Sequence, residues 1–555
     1  MASAKRIRAR WQALKDERNS WDPHYRELAE HILPRHIRMS TSESNRGSKR
    51  NDKIFNGTAT RALRVLASGM MAGITSPARR WYRLTTPDPK DIEAPGVRSW
   101  LDSTESRMFT IFARSNIYNA LAMLYEDLPC FGTAPILVEE DDDDVIRVHN
   151  IPLGSYVLVS DLKGRIVGII RELAMTVEQV IEQFGFEVCS DGVQHMYTRG
   201  QLDVKVDIIN AILPNDAFKN GALGPRGMPH ASLWLETAQQ EDVFLRVGGF
   251  HEFPLMAPRW DLTGNDTYGS CPGMDALGDI KALQRLEKRK LQAMDKMVNP
   301  AMQGPSSLRA GRPSLLAGDI TYVDAVGGGQ KFEPAHTVDG RAVMIQDVIA
   351  EHERRINSFF YADLFLIMTQ RSYSKTAREV DELHEEKMLQ LGPVLERLQD
   401  ELLDPLIDRV FGIMLRKGLL EAPPEALAGA DLRVEYISIL SQAQKMLGTV
   451  SIERIIGFVA SASDRVPEAL DKIDWDQTID ELADLLGVPT SIIRPDEDVE
   501  EVRKARASQQ AAQQAAQMAP ALNQASQAAK NMKDVGMGDP AAMEDVIRTT
   551  TGVEP

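Results

Sequence analysis

MDALGDIKALQRLEKRKLQAMDKM, residues 274–297, is the stretch on which the fold turns. Met274, Leu277, Ile280, Leu283, Leu286, Leu291 and Met294 recur at helical spacing and make one apolar stripe. The other side is basic: Lys281, Arg285, Lys288, Arg289, Lys290 and Lys296 stand against Glu287 and Asp295. At 1.5 Å per residue the helix spans about 36 Å. Asn299-Pro300 ends it, because proline disfavours the helical conformation of the residue before it. Two readings of the basic side stay open: a solvated helix face, or a surface that meets another protomer or DNA.

Downstream, residues 300–338 are rich in glycine and proline. Short strands are expected at 314–323 and 331–333, with Gly327–Gly329 as a hairpin turn. A second helix is expected from about 340 to 361. It leads into FFYADLFLIMTQRSYSKTAREV, 359–380, where an apolar run, Leu364 to Met368, gives way to Arg371, Lys375 and Arg378. Ser372 and Ser374 lower helix propensity there, so the cations read as a basic hinge. The longest helical pattern, 376–418, follows. Leu391, Leu395, Leu398, Leu402, Leu406 and Val410 lie on one face, and kinks are expected at Gly392-Pro393 and Pro405. Short helices are expected around 435–447, 451–462 and 476–486. An Ala/Gln-rich helix is expected over 503–530, and a loose tail to 555.

Upstream, 1–270 reads as a mixed α+β body. Its first 33 residues are helical, broken at Asp22-Pro23, and helices are expected at 54–73, 97–114 and 117–130. Strands are expected in PILVEE, VIRVHNI, SYVLVSD and GRIVGIIREL, then, after a helix near 176–185, at 203–213, 231–237 and 242–248.

The chain has 555 residues, 43% of them hydrophobic, and a net charge of −16. Residues 1–53 hold thirteen Lys/Arg against seven Asp/Glu, net +6, which leaves −22 on the remainder. So acidic a chain does not coat nucleic acid, which needs clustered cations, but an acidic wall does not stick to DNA sliding past it. Cys130, Cys189 and Cys271 are too scattered for a disulfide framework or zinc site, which suits a reducing interior. No apolar run is long enough to span a membrane, and the basic start lacks a signal-peptide core. No phosphate loop, H-E-x-x-H or G-x-S-x-G occurs, so neither a P-loop motor nor a zinc or serine hydrolase is expected. Glu139–Asp144, EEDDDD, lies between two strands and reads as a solvated turn rather than a cation site. His24, His31 and His36 read as surface or interface residues, and His352 and His384 as solvated. No catalytic, metal or cofactor site is expected.

Two blocks together carry a resemblance: YGSCPGMDALGDIKALQRLEKRKLQAMDKMVNPAM, 268–302, and TAREVDELHEEKMLQLGPVLERLQDELLDPLIDRVFGIMLRKG, 376–418. With IFNGTATRALRVLASGMMAGITSPARRWYRL near the start, they resemble the head-to-tail connecting (portal) proteins of short-tailed (T7-like) bacteriophages. The likeness covers most of 1–450. It implies a mainly helical α+β portal fold, assembled as a twelve-subunit ring around a channel at one capsid vertex. By that resemblance 1–270 is the wing, 271–297 the first stem helix, 298–339 the clip and 340–361 the second stem helix. Residues 362–375 are the tunnel loop, 376–418 the long kinked wing helix, 419–502 the wing return and crown, and 503–555 the crown helix and tail. Arg371, Lys375 and Arg378 would ring the DNA, and Lys281, Arg285, Lys288 and Arg289 would form a basic stem surface. The implied partners are double-stranded DNA, the terminase large subunit, the major capsid and scaffolding proteins and a tail adaptor, in a virion assembled in host cytoplasm. Two other readings stay open. One is a tail-tube adaptor or other structural virion protein. The other is a terminase-type nuclease, which needs clustered carboxylates around metal ions.

Overall fold

The computed structural model describes residues 3–38, 50–87, 96–239, 242–304, 333–335, 345–369, 391–424, 427, 433–437, 455–459, 473, 475–479, 499, 502–506 and 508–509. The chain forms two compact units, Met1–Val450 and Ser451–Pro555. In the second, 455–459, 475–479 and 502–506 are helical, and Arg503 pairs with Asp476 at 2.6 Å.

The first unit opens with α1 (Ala4–Arg18) and α2 (Asp22–His31). The Ser3 hydroxyl accepts from the Arg6 amide and caps α1, and Pro23 lies in the first turn of α2. Next come α3 (Thr58–Gly73), β1 (Tyr82–Thr85), α4 (Val97–Arg114) and α5 (Ile117–Phe131). The strand-rich part holds β2 (Ile136–Asp141), β3 (Val145–Asn150), β4 (Tyr156–Ser160), β5 (Ile166–Thr176), α6 (Val177–Phe184), α7 (Asp191–Thr198), β6 (Lys205–Pro214), β7 (His230–Glu236), β8 (Arg246–Phe250) and β9 (Leu255–Met256).

The strands β4-β5-β6-β7-β8 form one antiparallel sheet, and β3-β2-β9 a second. Side chains alternate across a strand, and the large sheet is covered on both faces. Val157 and Val159 turn to Ile7 and Trp11 of α1, whereas Tyr156 and Leu158 enter the main core. This explains why β4 is apolar at nearly every position. α6 and α7 cover the far end through Val177, Val180 and Val193. A capping box at Thr176 and Gln179 starts α6.

The remaining elements are α8 (Pro272–Val298), β10 (Met302–Gln303), β11 (Glu333–Pro334), α9 (Ile345–Phe359), α10 (Ala362–Thr369), α11 (391–398), a π-helical turn (Gln399–Leu403), α12 (Asp404–Arg416) and β12 (Arg433–Tyr436). Leu391, Leu395, Leu398, Leu402, Leu406 and Val410 are all buried, as their spacing predicts.

The differences from the sequence reading are local. α7, β1 and β9 lack a clear periodic signal and were not expected; β8 begins at Arg246, four residues later than expected; and Ala362–Thr369, expected as the start of a loop, is helical because its apolar residues Leu364 and Phe365 are buried in the core. Residues 433–436 are a strand where a helix was expected from 435, because Val434 and Tyr436 pair with Leu84 and Tyr82. The helix distortion at Pro405 lies one turn earlier, in the π-turn. There the Asp404 amide donates to the Gln399 carbonyl, a five-residue step ahead of a proline that has no N–H. Gly392 and Pro393 lie within the helical segment 391–398.

Candidate channel and subunit-interface surfaces

α8 and α9 form an antiparallel hairpin. Lys290 donates to Gln346 at 3.3 Å near one end, and His352 Nδ1 lies 2.8 Å from Asp279 Oδ1 towards the other. His352, expected to be solvated, thus ties the two helices together. Ile280, Leu283, Ile349 and Ile356 bury the seam in the main core. The root is clamped by residues ahead of α3. Gln284, buried, accepts from the amides of Phe55 and Asn56 at 2.6 and 2.8 Å and donates to the Asn56 carbonyl at 2.8 Å. Asn56 in turn donates to Glu287 and Glu353, one on each helix. Beyond the far end of the hairpin, β10 pairs with β11 and closes the segment between them.

The apolar stripe of α8 outruns the body that covers it. Leu277, Ile280 and Leu283 are buried, but Leu291 and Met294 are 51% and 54% exposed and Val298 is 85% exposed. Val348 on α9 is 48% exposed. The basic side also divides. Lys281 pairs with Glu27, and Lys288 lies 5.6 Å over the Phe55 ring. Arg285 and Arg289 are exposed and make no ion pair among the described residues.

At the end of α9 the chain turns through Tyr361, which has φ 51°, in the left-handed region. α10 then runs back over α3, where Phe365 fills the place a side chain at Gly69 would take. Arg371, Lys375 and Arg378 lie outside the described residues.

The helix after that segment is anchored by buried charge. Glu401, on the π-turn, accepts from the Arg259 amide at 2.9 Å and from its guanidinium at 2.5 and 3.2 Å. Arg409 is fully buried over the Phe250 ring and donates to Glu252 at 2.6 Å. Arg416 meets both Glu252 and Glu140. Burial pushes the Glu252 carboxyl up, but Arg416 and Arg409 outweigh it and hold the group below the usual range. The acidic run is therefore a turn whose tip, Asp142, is solvated, while Glu140 and the Asp141 carbonyl hold the C-terminal end of α12. Cations at that end also suit the helix dipole.

His31 is buried, with Nδ1 on the Glu27 carbonyl, and His36 pairs with Asp127 at 2.6 Å. Among the described residues no three potential metal ligands cluster, and no helix is long and apolar enough to cross a membrane.

The family model described as "Bacteriophage head to tail connecting protein" matches residues 4–493. The chain belongs to that family. Among curated relatives of this connector, the portal protein of Salmonella phage epsilon15 is 43% identical over 532 residues, which is 96% of this chain and 95% of the relative. The probable portal protein of Bordetella phage BPP-1 is 41% identical over 550 residues, 99% and 98% of the two chains. A chain from the virion of a native gene transfer agent particle is 12% identical, with a TM-score of 0.36 over 78% of the connector and 90% of that chain.

The connector's buried pairs, Arg259–Glu401 and Arg409–Glu252, were missed by sequence reasoning. A signal was present: Arg409 is three residues from Leu406 and four from Ile413, inside the apolar stripe. A charge at such a position needs a buried partner.

Proposed function

We propose that this chain is a portal, the head-to-tail connector at one vertex of a phage head. It assembles as a closed ring of twelve copies, passes double-stranded DNA inward during packaging and outward during ejection, and serves as platform first for the terminase motor and then for the tail. The observation that carries this reading is the likeness to portal proteins over almost the whole chain. The α8–α9 hairpin is its stem and the segment between those helices its clip. The residues up to 270 form the wing, and the part of 362–375 beyond α10 belongs to the tunnel loop. Arg371, Lys375 and Arg378 face the DNA, where repetition around the ring makes even one arginine a strong local attraction for phosphates. The chain supplies no force of its own; a partner ATPase does. Its other partners are the capsid, the scaffold and a tail adaptor.

Electron microscopy of the purified protein tests the ring. A central hole wide enough for duplex DNA supports the reading, and monomer alone at micromolar concentration overturns it. Arg371→Ala tests the tunnel assignment: rings form normally, but packaging or retention of DNA changes. Particles that fill and retain DNA like wild type would remove the loop cations from the channel and leave the portal reading standing.

A further inference from the structure

The hairpin carries unpaired charges of opposite sign on its two helices. Arg285 and Arg289, one turn apart on α8, are exposed and without an ionic partner among the described residues. Asp347, in the first turn of α9, is likewise exposed and unpaired. The Lys290–Gln346 hydrogen bond puts Arg289 and Asp347 at one level of the hairpin, yet within the chain they do not meet. Several other hairpin charges are satisfied locally, Lys281 by Glu27, Lys290 by Glu287, and Arg354 and Arg355 by Glu351, while Asp295 and Lys296, in the last turn of α8, are exposed and make no ion pair among the described residues. Val348, next to Asp347 in sequence, is exposed as well, whereas Leu291 lies on the apolar side of α8, away from the arginines.

We propose that Asp347 of one copy pairs with Arg285 and Arg289 of the next, across the seam where α9 of one subunit meets α8 of its neighbour. This rests on the ring reading above. A ring that sets identical two-helix hairpins side by side brings the first helix of one copy against the second helix of the next, a head-to-tail contact that closes by rotation. Charges that meet across such a seam come from different helices and share a level, and this set fulfils both conditions.

Charge reversal tests this on the full-length protein, with ring population read by mass photometry across a concentration series. Asp347→Arg alone, and Arg285→Glu with Arg289→Glu, should each weaken the subunit contact by about tenfold or more. The triple variant, with all charges inverted, should return to within about threefold of wild type, the sign of direct coupling. Wild-type rings should weaken with added salt. Melting temperatures of the dissociated variants check that the fold is intact, since all three side chains are exposed. Wild-type rings with single-side reversals that assemble normally, or a triple variant no better than either parent, would overturn the pairing and leave the ring reading intact. Absence of wild-type rings would overturn both.

Discussion

Glu105 shows what one buried carboxyl costs. It sits under β1, accepts from the Leu84 amide at 2.6 Å and lies 3.4 Å from Arg80. Burial raises its pKa to about 7, against the opposing pull of the Leu84 amide and Arg80. A carboxyl raised on folding favours the native state most when protonated in both states. The contribution is therefore complete below the ordinary carboxyl range and is lost as pH rises towards 7. At about 1.4 kcal/mol per pKa unit, the loss is at most about 3.5 kcal/mol. Glu105→Gln keeps an acceptor for the Leu84 amide and removes the titration. The variant should match wild type near pH 4, exceed it in stability near pH 8, and show a flatter profile between. Thermal melts across that range decide it; parallel profiles for the two proteins would rule out Glu105 as the titrating group.

At the scale of elements, the π-turn in the long helix shows how one added residue serves a tertiary bond. It accommodates Pro405 and presents Glu401 to Arg259, while Leu402 and Leu403 stay in the core. Glu401→Ala leaves a buried guanidinium without its counter-charge and should cost about 3 kcal/mol by urea denaturation. Replacing both partners, Arg259→Met with Glu401→Leu, should recover most of that loss. A cost under about 1 kcal/mol for the single change would mean that the pair does not hold the turn. The helices themselves were legible in the sequence because their apolar period is long and regular: α8, the leucine face of 391–410, α4 and α5 all lie within a few residues of expectation. A distortion near Pro405 was legible, but the Glu401–Arg259 contact made from the π-turn was not, because the two residues are 142 positions apart. The same applies to β1 and β12, which define each other across the chain. Arg289 and Asp347 were legible as charges, but their lack of a partner is visible only once the hairpin is folded.

At the scale of the whole molecule, the α8 stripe separates what the subunit needs from what assembly needs. Leu277, Ile280 and Leu283 are covered by the subunit's own core, whereas Leu291 and Met294 are about half exposed. The sequence shows one continuous stripe; the fold covers only its first half, so the second half is reserved for a neighbour under the ring reading. Leu291→Ser with Met294→Ser should therefore leave monomer stability within about 0.5 kcal/mol, as expected for exposed positions. Covering the exposed halves of two large side chains contributes about 2 kcal/mol per contact, or roughly 30-fold in its dissociation constant. Each subunit in a ring makes that contact twice, so closed rings should give way to monomers and short arcs at concentrations where wild type is fully assembled. Sedimentation velocity separates these species, and circular dichroism follows the fold in the same samples. Intact rings at wild-type concentrations would show that the exposed half of the stripe lies outside the subunit contact, whereas unfolded monomer would show that it belongs to the subunit's own core.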